Sequence, residues 1–141
     1  MMTEKITEEI LRKLIREALK MRQFSYAPYS GFHVGAALLT EENDRIYTGC
    51  NIENAAFGAT VCAERTAIFK AVSEGARTLK MIVITGAPAE EEPTSYCPPC
   101  GTCRQVMKEF AGPDFQIVLA YDEEHYKCYT MEELLPLGFD L

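Results

Sequence analysis

The chain has 141 residues, 48% of them hydrophobic, with a net charge of −7, which suits a single domain over residues 1–141 with a sizeable core. The acidic balance excludes phosphate-backbone binding as the main activity, because that takes clustered Lys and Arg to displace counterions, so no nucleic-acid partner is expected. No run approaches ~18–20 uninterrupted apolar residues, and Glu4, Glu8 and Glu9 near Lys5 leave no signal-peptide core, so no membrane partner and a cytoplasmic location are expected. Residues 3–24 open with Thr3 and carry Ile6, Ile10, Leu11, Leu14, Ile15, Ala18 and Leu19 at helical spacing, which predicts an amphipathic helix. Charges of both signs lie between them, so this stripe should pack on a sheet and not on a lipid surface. Pro28 disfavours helix at Ala27, and Ser30-Gly31 is turn chemistry. Strands over 33–40 and 45–52, joined by Glu41-Glu42-Asn43-Asp44, read as a hairpin. A loop of small residues to Thr60 leads to a helix over 62–73, ended by Gly75. The short apolar strand over 81–85 lacks alternation and should be covered on both faces. Residues 86–99 read as a loop, with Pro88, Pro93, Pro98 and Pro99 and a solvated run Glu90-Glu91-Glu92. A helix over 100–110 stops before Gly112-Pro113, followed by a strand over 115–121 and an extended piece over 126–129. Thr130 to Glu133 is a capping-box pattern opening a brief helix that Pro136 limits. The expected class is α/β, a three-layer α/β/α arrangement on a mixed five-stranded sheet.

Two stretches carry the chemistry, Cys62-Ala63-Glu64 and Cys100-Gly101-Thr102-Cys103, each at the start of a predicted helix. Cysteines at i and i+3 in a first helical turn point the same way and can share one ion. With Cys62 they make a three-thiolate zinc site, which leaves the fourth place of a tetrahedron for water and marks the site as catalytic rather than structural. Glu64, two residues past Cys62, stands where it can serve that water as base and then acid. Three thiolates on a divalent ion give a net charge of −1, which two helix N-termini would offset. A disulfide framework is the competing reading of six cysteines, but it wants an export signal. Cys50 and Cys128 read as small buried hydrophobes. Cys97 makes Cys97-x-x-Cys100-x-x-Cys103, so a closed four-cysteine site with Cys62 is conceivable, although Pro98-Pro99 stiffens the path back to the ion. Asn51 and Glu53 alternate at a strand end and so face one side.

Tyr26-Ala-Pro-Tyr-Ser-Gly-Phe32, Gly49-Cys-Asn-Ile-Glu-Asn-Ala55, Cys62-Ala-Glu-Arg65 and Pro99-Cys-Gly-Thr-Cys-Arg-Gln105 together resemble the small zinc-dependent cytidine deaminases of the three-cysteine type. The resemblance spans nearly the whole chain. It implies hydrolytic deamination of cytidine and deoxycytidine to uridine and deoxyuridine with release of ammonia, as in pyrimidine salvage, with one Zn2+ per subunit. It implies Glu64 as the catalytic group, Cys62, Cys100 and Cys103 as metal ligands, and Asn51 and Glu53 on the ribose. By the same resemblance Phe32 flanks the base, the backbone of Ala63 hydrogen-bonds the pyrimidine, and Arg65 donates to a thiolate sulfur. Gln105, two residues beyond Cys103, is placed behind the ligands rather than on ion or substrate. The family's homotetramers, in which neighbouring subunits complete each site, imply that Phe139 reaches a neighbour's base. Two alternatives stay open: a deaminase of another nucleoside, a nucleotide, a polynucleotide base or a blasticidin-like antibiotic, and a non-catalytic domain stapled by four cysteines.

Overall fold

The computed structural model describes residues 6–141. Helix α1 spans Glu8–Met21 and is capped by Thr7, whose hydroxyl accepts from the Ile10 N–H at 3.2 Å, with Glu8 and Glu9 at the positive end of the helix. The expected opening at Thr3 lies outside the described residues. A single 3-10 turn, Arg22–Phe24, ends the helical run. Strands β1 (Phe32–Thr40) and β2 (Tyr47–Cys50) follow, then α2 (Ala63–Ser73), β3 (Leu79–Pro88), α3 (Gly101–Phe110), β4 (Ala111–Ala120), β5 (Tyr126–Thr130) and the short α4 (Met131–Leu134).

The strands form the mixed five-stranded sheet the sequence implied, in the order β2-β1-β3-β4-β5. Every neighbouring pair is antiparallel except β3 and β4, and the parallel pair is the one joined by a crossover helix, α3. Alternate residues of the central strands sort the layers. Ala37, Leu39, Met81, Val83, Val118 and Ala120 face α1, where they bury Leu11, Leu14, Ile15 and Ala18. Ala36, Leu38, Ile82, Ile84, Ile117 and Leu119 face the other way and cover Ala67, Ile68 and Ala71 of α2 with Cys103 and Met107 of α3. Each fully buried Ile or Leu here is worth about 1.5–3 kcal/mol, so both helices that begin with motif cysteines are fixed by the sheet itself.

Strand limits differ from the expected ones for local reasons. The second strand is shorter than 45–52: Asn43 Oδ1 accepts the Arg45 N–H at 2.8 Å and holds a turn, while Ile52 leaves the ladder to bridge Tyr26 and Val61. The third is longer than 81–85, because β1 supplies antiparallel partners as far as Phe32 opposite Pro88, so Gly86 is strand and not loop. The fourth opens at Ala111 and carries Gly112-Pro113, with the register to β3 slipping between Leu79 and Met81. Cys50 is buried as expected, but Cys128 is exposed on β5, an edge strand whose burial alternates only weakly. No helix among the described residues is long and apolar enough to cross a membrane.

Candidate active site

Cys62 and Cys100 are not inside their helices but cap them, each with extended backbone, so α2 and α3 both point their N-termini at the same place. Cys100 Sγ accepts the Cys103 N–H at 3.4 Å, a thiol acting as helix cap. Cys103, in the first turn of α3, is fully buried. Cys62 Sγ and Cys100 Sγ are 3.7 Å apart, and the sulfurs of Cys62, Cys100 and Cys103 all lie within 4.8 Å of one another. A tetrahedral zinc ~2.3 Å from each sulfur sets its ligands ~3.8 Å apart, which the Cys62–Cys100 pair matches at 3.7 Å, with Cys103 within 4.8 Å of both. Cys97 is not in this group among the described residues. Its thiol is pushed up to about 11, first by burial and then by the charges of Glu64 and Cys62, which keeps it neutral beside the site.

The Cys62 thiol is drawn down to about 5 by the hydrogen bond from Cys103 first, and then by Arg65, whose guanidinium stands 3.5 Å from its sulfur. Cys103 is pushed the other way, upward, by its closeness to Cys62 and by burial. Arg65 also reaches the Thr60 carbonyl at 3.5 Å. Removing its charge should weaken metal retention in acid, because protons then compete better for the sulfurs. A Cys held as thiolate gains its effect as pH rises, so Arg65→Gln should lose zinc at a pH about one unit higher than the parent, the scale of one hydrogen bond to a charged group. Chelator release followed between pH 5 and 8 reads this out; superimposed curves would reduce Arg65 to a loop tether.

Glu64, one residue into α2, is only 4% exposed, and its carboxyl is raised to about 7 by burial first, with the Cys62 thiolate adding to it. Such a group sits near neutrality, ready to move a proton in either direction. Ala63, the first residue of α2, is fully buried. The approach of α2 to the sheet is set by Gly49 of β2: a Cβ there would lie 2.4 Å from the Ala63 carbonyl oxygen and 2.6 Å from the Ala67 nitrogen. Thr66 Oγ1 seals the contact by donating to the Cys50 carbonyl at 3.1 Å.

Asn51 and Glu53 stand just past β2, not within it, and their side chains turn to the start of β1 and to the turn before it, respectively. Asn51 Nδ2 donates to the Phe32 carbonyl at 2.8 Å, and Asn51 Oδ1 accepts the Val34 N–H at 2.9 Å. Glu53 Oε1 accepts the Tyr29 and Ser30 N–H groups at 3.0 and 3.1 Å. The Phe32 ring reaches over Gly86, where a Cβ would meet both Phe32 Cε2 at 2.9 Å and Cys97 Sγ at 2.8 Å. Absence of a side chain at Gly86 therefore makes room for that ring beside Cys97. Phe139 is 63% exposed, and Gln105 Nε2 donates to its carbonyl at 3.2 Å. Gln105 thus ties α3 to the C-terminal tail. Two arginines outside the expected set also shape the site. Arg104 donates to the Pro99 carbonyl at 2.9 Å and the Leu134 carbonyl at 2.8 Å, while buried Arg22 donates to the carbonyls of His33, Ala87, Pro88 and Glu91.

A sheet that brings two helix-capping cysteines, a third buried cysteine and a buried carboxyl together defines a zinc-dependent hydrolytic enzyme of the deaminase class. The family model described as "Cytidine and deoxycytidylate deaminase zinc-binding region" matches residues 8–119, and the chain belongs to that family. A cytidine deaminase from Sporosarcina psychrophila is 46% identical over 129 residues, covering 92% of this chain and 90% of the relative. One from Halalkalibacterium halodurans is 44% identical over 126 residues, covering 89% of this chain and 91% of the relative. The crystal structure of cytidine deaminase from Burkholderia pseudomallei superposes with a TM-score of 0.81 at 39% identity, covering 95% of this chain and all of the other. The metal of the site is zinc, one ion per chain.

Proposed function

We propose that the protein hydrolyses the 4-amino group of cytidine and deoxycytidine, giving uridine or deoxyuridine and ammonia. The observation that carries this reading is the buried Glu64 carboxyl beside a three-sulfur cluster that supplies three places of a tetrahedron. Cys62, Cys100 and Cys103 hold the zinc, which supplies water acidic enough to be a nucleophile at neutral pH. Glu64 takes the proton that water gives up as its oxygen bonds to C4, and passes that proton to N3. Glu64 then takes the remaining proton of the new C4 hydroxyl and delivers it to the amine as the C4–N bond breaks. Water and nucleoside are thus consumed, keto product and ammonia released, and the carboxylate returned to its starting state.

Asn51 and Glu53 grip the ribose, Phe32 flanks the base and the N–H of Ala63, unpaired at the start of α2, faces the pyrimidine. A carboxylate on the sugar side favours a free nucleoside over a nucleotide, since it repels a 5′-phosphate. The exposed aromatics Tyr29, Phe57 and Phe139 support a homotetramer with shared sites, in which Phe139 enters a neighbour's pocket. Light scattering should give four times the chain mass; a fully active monomer would remove this part. The chain acts as one catalytic domain, and its place is cytoplasmic pyrimidine salvage. Ammonia release from cytidine, deoxycytidine, cytosine and CMP in parallel tests the reaction. Release from the two nucleosides and little from the others is expected, whereas silence on both nucleosides from folded, zinc-loaded protein would overturn the substrate assignment.

A further inference from the structure

We propose that Ser30 is a positioning residue for substrate binding: its hydroxyl joins the Glu53 carboxylate to the backbone of Phe32 and so sets the sugar grip against the base wall. This rests on the reading of Glu53 and Phe32 as substrate contacts. Ser30 Oγ donates to Glu53 Oε2 and at the same time accepts the Phe32 N–H at 3.0 Å. A hydroxyl has one proton and two lone pairs, so this arrangement spends its only donor on the carboxylate. Both backbone polar groups of Phe32 are then held, its N–H by Ser30 and its carbonyl by Asn51.

The turn that presents Ser30 is itself anchored. The residue after it, Gly31, lies at φ +68°, its N–H donates to the Ala27 carbonyl at 2.9 Å, and its carbonyl accepts from Ala89 at 2.8 Å. Glu53 has about four acceptor sites, and three are taken by the Tyr29 N–H, the Ser30 N–H and the Ser30 hydroxyl. What remains for a substrate hydroxyl is roughly one lone pair, aimed by the other three bonds. The Ser30 bond is also the leading cause of the lowered Glu53 pKa, which keeps the grip charged. Ser30 is solvent-exposed and packs no core, so its pattern of bonds serves the two neighbours it links.

Ser30→Ala should raise KM for cytidine roughly tenfold while kcat changes less than about threefold, the scale of losing one hydrogen bond to a charged group with water as partial replacement. Ser30→Thr keeps the hydroxyl and should restore KM. In a Glu53→Ala background, Ser30→Ala should add less than about twofold, since its partner is gone. An unchanged KM in Ser30→Ala beside a raised one in Glu53→Ala would overturn the role of Ser30 and leave the ribose reading standing. Multiplying penalties, or failure of Thr to restore KM, would also overturn it by showing a merely structural effect. A silent Glu53→Ala would sink the ribose reading, and the proposal with it, in a recognisably different way.

Discussion

Glu64→Gln should retain one zinc per chain and lose turnover by about 10^3- to 10^4-fold, the upper range for a group that serves as both base and acid. The reasoning is geometric. Gln has nearly the same shape, and the sulfurs of Cys62, Cys100 and Cys103 define the metal cluster without help from the carboxyl. Binding should survive, so KM for cytidine should move far less than kcat. The variant should also be no less stable than the parent, because a carboxyl that is 4% exposed and raised to about 7 is disfavoured in its charged form. Metal analysis together with steady-state kinetics decides it: a variant that arrives metal-free and recovers activity on adding zinc would make Glu64 a ligand or its support, not the proton carrier.

Cys103→Ala should be the more destructive change, because it removes a ligand and part of the core at once. The side chain is fully buried in the cluster that includes Met107, Ile82 and Ile84. Metal content should fall to near zero, activity should vanish, and Tm should drop by about 10 °C or more as the stabilisation from bound metal is lost. Cys97→Ser is the matched control: its sulfur lies outside the three-sulfur group, so zinc and turnover should persist. A Cys103→Ala protein that still held one zinc, or a Cys97→Ser protein that lost it, would show the ligand set to be wrongly drawn.

Much of the scaffold was legible in the sequence because its signals are periodic or positional. The stripe from Leu11 to Ala18 marks the face of α1, and Cys62 and Cys100 mark helix starts to within one residue because those cysteines are the caps. The fit of the metal cluster follows from two short spacings joined by the sheet. What could not be read is carried by polar side chains whose partners are distant backbone groups. Arg22 looks like one more charge at a helix end, yet it is buried and gathers carbonyls from residues 33, 87, 88 and 91. Gln105 likewise gives no sign in the sequence that its amide reaches the Phe139 carbonyl in the tail. A carbonyl acceptor is present at every residue, so no residue type in the sequence announces such a bond. The strand extensions were hidden likewise: Gly86 and Pro113 read as breakers, and a neighbouring strand overrides them.

The close seat of α2 on Gly49 bears on how this enzyme can diverge. Because the helix backbone touches the strand backbone at Gly49 and Thr66 ties α2 to the end of β2, the start of α2 that carries Glu64 and the strand beneath it form one stiff block. Changes of side chain should therefore be tolerated elsewhere, in places such as the tail bearing Phe139, where side chains are exposed. Lineages built on this scaffold should vary there while the block stays fixed.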